Sequence, residues 1–253
     1  MPAYEDRAGH PTAGTSKGHV LTKSLRAITA GLSVIVAHLM STTIPASAQT
    51  PPSKRDIARY RGLHDAAHRG DVAAIRRLAA QGANLEARDR AGRTPLHVAA
   101  FASQDDAVRA LAQAGADPNA LEHQAYDVVT IAAVANDLEM VDLALSLGAS
   151  ARNVTSPYDG TALIAAAHLG LHTVVTRLIA GGAPVDHVNN LGWTALIEAV
   201  VLGDGGPDHI ETVKALVEAG ADTSIADRQG VTPLEHARAR GFSEMVRILT
   251  RAQ

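Results

Sequence analysis

Histidines and carboxylates are the side chains of this 253-residue chain best suited to ligate a metal, because cysteine is absent. A chain without thiols has no disulfide framework, no thiolate nucleophile and no Cys-ligated zinc. Two histidine pairs, His64/His68 and His168/His172, are four residues apart, a spacing that puts two imidazoles on one helix face. Neither pair has a third ligand at a recognisable spacing, so no metal site is expected. Asp204, Asp208 and His209 are hard-cation ligand types, but their spacing matches no calcium loop, and the neighbouring glycines make the stretch a solvated excursion. The run Gly203-Asp204-Gly205-Gly206 has neither GxGxxG nor a following Lys-Ser/Thr and is no phosphate cradle. GxSxG, HExxH and Walker patterns are missing too. The expectation is a protein with no catalytic residue, no metal and no cofactor.

The histidines make sense as parts of a repeat. Ala91–Ala100 (AGRTPLHVAA) returns in variants at near-fixed intervals, and its helix-start leucine aligns Leu63, Leu96, Val129, Leu163, Leu196 and Leu234, with spacings of 33, 33, 34, 33 and 38. Two residues earlier stands a cap column, Thr94, Asp127, Thr161, Thr194 and Thr232, whose oxygens suit the free N–H groups of a first helical turn. Arg61 takes that place in the first unit. Three residues after the leucine runs an alanine column, Ala66, Ala99, Ala132, Ala166, Ala199 and Ala237, which lets helices approach closely. A second helix follows with Ile75, Val108, Val141, Val175, Val213 and Val246, then Leu78, Leu111, Ala144, Leu178, Leu216 and Leu249. Gly82, Gly115, Gly148, Gly182 and Gly220 close it at a position suited to left-handed backbone.

The Thr-Pro-Leu-His helix start and the 33-residue period resemble the ankyrin repeat, a turn and two helices that cannot bury an apolar face alone. The resemblance implies an all-α ankyrin-repeat solenoid of about six helix-turn-helix units with short β-turn fingers, covering residues 56–253. Units are expected near 56–88, 89–121, 122–154, 155–188, 189–226 and 227–253. It also implies that His97 bonds to neighbouring turns, with His64 in the same column. Two units depart from the pattern. Unit three reads AYDVVTIAA, and the loss of Pro at Val128 predicts one of the softer places in the stack. Unit five is five residues longer, and the extra residues around Gly203–Asp208 are expected to enlarge the turn between its helices. Glu86, Asp89, Asp117, Asp186, Asp222 and Asp227 fall in turns, where carboxylates stabilise bends. Thr250 and Arg251 stand where inner units are apolar, as a terminal capping helix needs.

By the same resemblance, residues three before and five or six after the aligned leucine line an inner, concave face that binds other proteins. In the central units these are Arg93, Phe101, Tyr126, Val134, His168, Leu169, Trp193, Val201 and Leu202. Most are apolar and one is the only Trp, the kind of anchor that dominates protein contacts. The competing expectation is that these residues merely pack against neighbouring helices and that Trp193 covers its own turn.

Composition fits a stack of small-residue helices. Hydrophobic residues make up 46% of the chain and aromatics only 3%, too few for a globular core of this size to lean on. A net charge of −3 offers no broad basic surface for nucleic acid. At the N-terminus, Lys23 and Arg26 precede the apolar run Ala27–Met40 and the small-residue stretch Pro45-Ala46-Ser47-Ala48, an export-signal pattern over residues 20–48 with cleavage after Ala48. The rival is an uncleaved anchor, but 14 helical residues span about 21 Å against a hydrocarbon core of about 30 Å. Residues 1–19 are a polar extension that a start at Val20 or Leu21 would leave untranslated. Residues 1–48 carry four basic and two acidic side chains, so their removal takes the net charge from −3 to −5. Residues 49–55 read as a linker.

Together these features predict a monomeric, non-catalytic protein-binding module, an adaptor, inhibitor or stabiliser of another protein, in the periplasm or secreted. No nucleic-acid partner and no membrane insertion after signal cleavage are expected. The alternatives are a metal or small-ligand binding protein and a secreted effector acting through the same repeats.

Overall fold

The computed structural model describes residues 49–252; the export-signal expectation for residues 20–48 and the extension 1–19 lie outside it. Among the described residues the chain forms thirteen helices and no strand beyond the isolated bridge Thr155–Gly160. After a four-residue helix α1 (Lys54–Ile57) come six helical pairs. They are α2 (Gly62–His68) with α3 (Val72–Ala80), α4 (Pro95–Phe101) with α5 (Asp105–Gln113), and α6 (Val128–Val134) with α7 (Leu138–Ser146). The second half adds α8 (Ala162–His168) with α9 (His172–Ala180), α10 (Ala195–Val201) with α11 (Pro207–Glu218), and α12 (Pro233–Ala239) with α13 (Ser243–Arg251). First helices contact first helices of the next pair all along the chain, and second helices do the same, so the pairs stack consecutively in two rows.

Helices of seven to nine residues are too short to hold in water by themselves, so the stacking holds them. The alanine column is sealed, from Ala66 to Ala237 at 2% exposure or less, and the apolar column of the second helices is buried from Ile75 to Val213. Each fully buried Leu or Ile, such as Leu111, Leu178 and Leu216, contributes about 2 kcal/mol. The caps form as the sequence predicts. The oxygens of Thr94, Asp127, Thr161, Thr194 and Thr232 each accept from the backbone N–H three residues on, while Arg61 makes no such bond. The glycine column from Gly82 to Gly220 has φ between 78° and 103°, the left-handed stop expected of it.

Three local expectations need correction. The stretch read as a linker is already built into the stack. Ser53 caps α1 in a reciprocal box with Asp56, and the Thr50 carbonyl accepts from the buried Arg93 at 3.1 Å. In unit five the extra residues do not all enlarge the turn: Pro207 and Asp208 begin α11, which has 12 residues where the other second helices have nine. What remains of the turn is strapped down, with His209 Nε2 against the His168 carbonyl at 3.1 Å and Arg240 Nη2 donating to the Gly203 carbonyl at 2.9 Å. Finally, His168 ends α8 while His172 begins α9, so these two histidines share no helix face.

Candidate protein-binding surface

The turns between units are fingers, each folded by one side-chain oxygen at its base. Asp89 Oδ1 accepts from Ala91 N at 2.8 Å and Arg93 N at 3.0 Å. Glu122 Oε1, Ser156 Oγ, Asn189 Oδ1 and Asp227 Oδ1 repeat the same two-bond pattern in the later fingers. Backbone bonds then tie finger to finger, from His123 N to the Ala91 carbonyl, Ser156 N to Ala125 and Asn190 N to Tyr158. The first four fingers therefore form one continuous ledge.

The nine residues predicted for the binding face divide into two groups. Phe101, Val134, His168, Leu169, Trp193, Val201 and Leu202 are partly exposed, at the ends of α4, α6, α8 and α10 or, for Trp193, in a finger. Phe101 also packs against the core. Arg93 and Tyr126 are instead buried, at 3% and 4% exposure, so their side chains do not point outward from the turn. Arg93 is drawn in by charge: its Nε donates to Asp89 Oδ2 at 2.8 Å and its Nη2 reaches Asp56 at 3.3 Å. Tyr126 lies inside, where burial, reinforced by the Glu122 carboxylate, pushes its phenol up to about 12. The Tyr126 carbonyl takes a bond from His97 of the preceding unit.

The most exposed large apolar residues among those described were not on the predicted face: Leu121, Val154, Tyr158 and Val188, at 37 to 49% exposure. Leu121, Val154 and Val188 each stand five residues after the buried finger alanine, Ala116, Ala149 and Ala183. That offset was present in the repeat alignment and could have found them. Arg88 and Ala226 hold the same position in the flanking fingers. Tyr158 sits in the finger of unit four, which is one residue longer than its neighbours.

His64, His68 and His168 are engaged within the stack. His64 Nε2 meets the Arg93 carbonyl at 3.0 Å, and its ring stacks on Tyr60 at 5.4 Å, with His68 edge-on to the same ring at 6.4 Å. His168 Nδ1 donates to the buried Glu198 at 3.2 Å, whose other oxygen accepts from Asn189 at 3.0 Å. Among the described residues no cluster of three His, Asp or Glu side chains converges on a metal-sized point.

A row of stacked helical pairs with an exposed ledge of turns is a repeat solenoid, a fold that presents an extended surface. The chain belongs to the ankyrin-repeat family: the family's model, ankyrin repeats in three copies, matches residues 27–122 and 129–227. The first of these spans takes in the apolar run Ala27–Met40. The chain is similar to the putative ankyrin repeat protein YahD of Escherichia coli (strain K12), 41% identical over 96 residues that cover 38% of this chain and 48% of YahD. It is also 37% identical over 95 residues to the ankyrin repeat and SOCS box protein 16 of Mus musculus, over 36% of this chain and 21% of that protein. The matched stretch thus spans about half of the bacterial relative and a fifth of the mouse one. Among solved structures, an ankyrin repeat domain from Acinetobacter baumannii AYE is 42% identical with a TM-score of 0.71, covering 75% of this chain and 96% of that domain. The ankyrin repeat domain of Bcl-3 is 27% identical with a TM-score of 0.70, over 77% and 86% of the two chains. Ankyrin repeats are in general protein-binding modules, and their fold is typically a non-enzymatic interaction scaffold.

Proposed function

We propose that this chain is a non-catalytic adaptor, inhibitor or stabiliser that grips another protein along its finger ledge, outside the cytoplasm, as a monomer. The observation that carries the reading is the row of exposed Leu121, Val154 and Val188 on three hydrogen-bonded fingers, with Tyr158 and Trp193 on the same fingers. Apolar side chains left open at regular intervals on a rigid support bind a partner without an ordering cost in the support. Export is supported by the basic, apolar and small-residue order of Lys23–Ala48.

Crosslinking in the source cell, followed by mass spectrometry, tests the reading. The wild-type chain should crosslink to a defined protein. Leu121→Asp with Val188→Asp should reduce that recovery by at least about tenfold, because charge replaces apolar contact at exposed sites that the fold does not need. Undiminished recovery from the folded double variant overturns the binding surface. Fractionation of the same cells tests location: retention in the cytoplasm overturns export, and release into the medium identifies a secreted effector.

A further inference from the structure

We propose that an arginine-lined hollow at the N-terminal end of the finger ledge takes the acidic end of a protein segment whose apolar continuation lies over Leu121, Val154 and Val188. The inference rests on the protein-binding reading above and adds the chemistry of the partner. The hollow, of about 350 Å³, is walled by Arg59, Arg61, Arg88 and Arg90 together with Asp56 and Asp89.

Both carboxylates are bonded within the chain, Asp89 with its side chain 9% exposed and Asp56 with 28%. Asp89 Oδ2 accepts from Tyr60 Oη and Arg93 Nε, both at 2.8 Å, and Asp56 Oδ2 accepts from Ser53 N, Ser53 Oγ and Arg93 Nη2. Their charge is shared with a guanidinium that is itself buried. The four wall arginines are left in positive excess. Arg61 and Arg88 are posed by backbone carbonyls, Arg61 on Ala58 and Tyr60, Arg88 on Gly92 and Leu121. Among the described residues Arg59 and Arg90 make no side-chain hydrogen bond or ion pair.

Position along the ledge selects the ligand. Arg88 holds the finger place that Leu121 holds in the next unit, and its Nη1 donates to the Leu121 carbonyl at 2.5 Å. One wall of the hollow is therefore bonded directly to the backbone of the first apolar residue of the row. The formal charge changes sign along the chain: residues 54–93 carry ten Lys or Arg and five Asp or Glu, whereas residues 94–151 carry one and eight. A long polyanion such as nucleic acid would run from attraction into repulsion within about a Debye length. A short acidic stretch followed by apolar side chains meets a complementary surface at every step.

The test is fluorescence anisotropy of the full chain with a labelled peptide of four glutamates followed by Leu-Ser-Val-Ser, at low ionic strength where screening is least. Arg59→Glu with Arg90→Glu should weaken binding at least about tenfold. Arg76→Glu with Arg77→Glu, the same charge change on exposed positions of α3 outside the hollow, should weaken it less than about twofold. Circular dichroism checks that each variant is folded. Equal weakening by both pairs overturns the proposal in favour of net charge alone. Displacement of the peptide by inorganic phosphate at equal concentration overturns it in favour of a small-anion site, and absence of binding by the folded wild type overturns it outright. In the crosslinking experiment, a partner lost with Leu121→Asp/Val188→Asp but kept with Arg59→Glu/Arg90→Glu would sink this inference and leave the protein-binding reading intact.

Discussion

His97 in one unit and Tyr126 in the next are joined by a bond whose direction is set on both sides of the imidazole. The Thr94 backbone N–H donates to His97 Nδ1 at 3.2 Å, with the Thr94 hydroxyl also 2.8 Å from it, so Nδ1 is the unprotonated nitrogen. Nε2 then carries the proton and donates to the Tyr126 carbonyl at 3.1 Å. A second proton on Nδ1 would face a donor in a fully buried site.

Burial holds the His97 pKa at about 4, below its ordinary value of 6.5, and the bond to the Tyr126 carbonyl offsets only part of that. Between these values the unfolded chain binds a proton that the folded chain refuses, so stability falls as pH drops from 6.5 toward 4. Between pH 7.5 and pH 5 this one ring should cost about 2 kcal/mol. His97→Gln keeps a donor toward Tyr126 and removes the titration. Urea unfolding at the two pH values should show the wild type losing about 2 kcal/mol more than the variant on acidification. Equal losses would show that His97 does not hold this linkage.

Unit three, expected to be soft because Val128 stands where Pro95 and Pro233 begin their helices, also has a strained turn, together with bonds that offset it. Ala125 stands where other fingers have Gly92, Gly192 and Gly230, and it is held at φ 60°, a left-handed angle that costs a residue with a Cβ about 1 kcal/mol. Against this, Asp127 Oδ1 takes both Thr130 N at 2.8 Å and Thr130 Oγ1 at 2.7 Å, and Asn153 Nδ2 bridges Asp127 Oδ2 and Asn119 Oδ1 at 2.9 Å each. Burial still keeps the Asp127 carboxyl above its usual range. Asn153→Ala leaves that carboxylate short of a donor and should cost about 2 kcal/mol. Hydrogen exchange should place the resulting loss of protection in α6 and α7. A variant with unchanged protection there would show that the bridge does not support the unit.

The stack was legible because its determinants are local and periodic. Cap, alanine, leucine and glycine columns recur at one interval, and each acts within its own unit or on the next. The surface was less legible because exposure depends on partners far along the chain. Arg93 sits in a column that the family turns outward, yet Asp56, 37 residues earlier, and Asp89 pull it inside. Tyr126 is buried as well. Leu121, Val154 and Val188 recur at one offset and so were visible as a column, but spacing alone does not say that no helix covers them.

Burying Arg93 makes it a structural cation, and its removal should be felt as instability. Arg93→Ala would strip Asp89, whose side chain is 9% exposed, of its guanidinium while leaving the carboxylate in place. The bonds from Tyr60 and from Arg93, its backbone N–H included, outweigh the upward push of burial and hold Asp89 below its ordinary pKa. The stability that this carboxylate brings is therefore present at neutral pH and lost as pH falls through its folded pKa. Removing one partner of a buried pair costs about 3 kcal/mol, because the remaining charge has no compensation. Urea unfolding at neutral pH should show this loss in Arg93→Ala. A double-mutant cycle with Asp89→Ala should return a coupling of at least about 1 kcal/mol. A coupling near zero would mean that Arg93 is held in by packing alone, and the inward pull of the carboxylates would have to be abandoned.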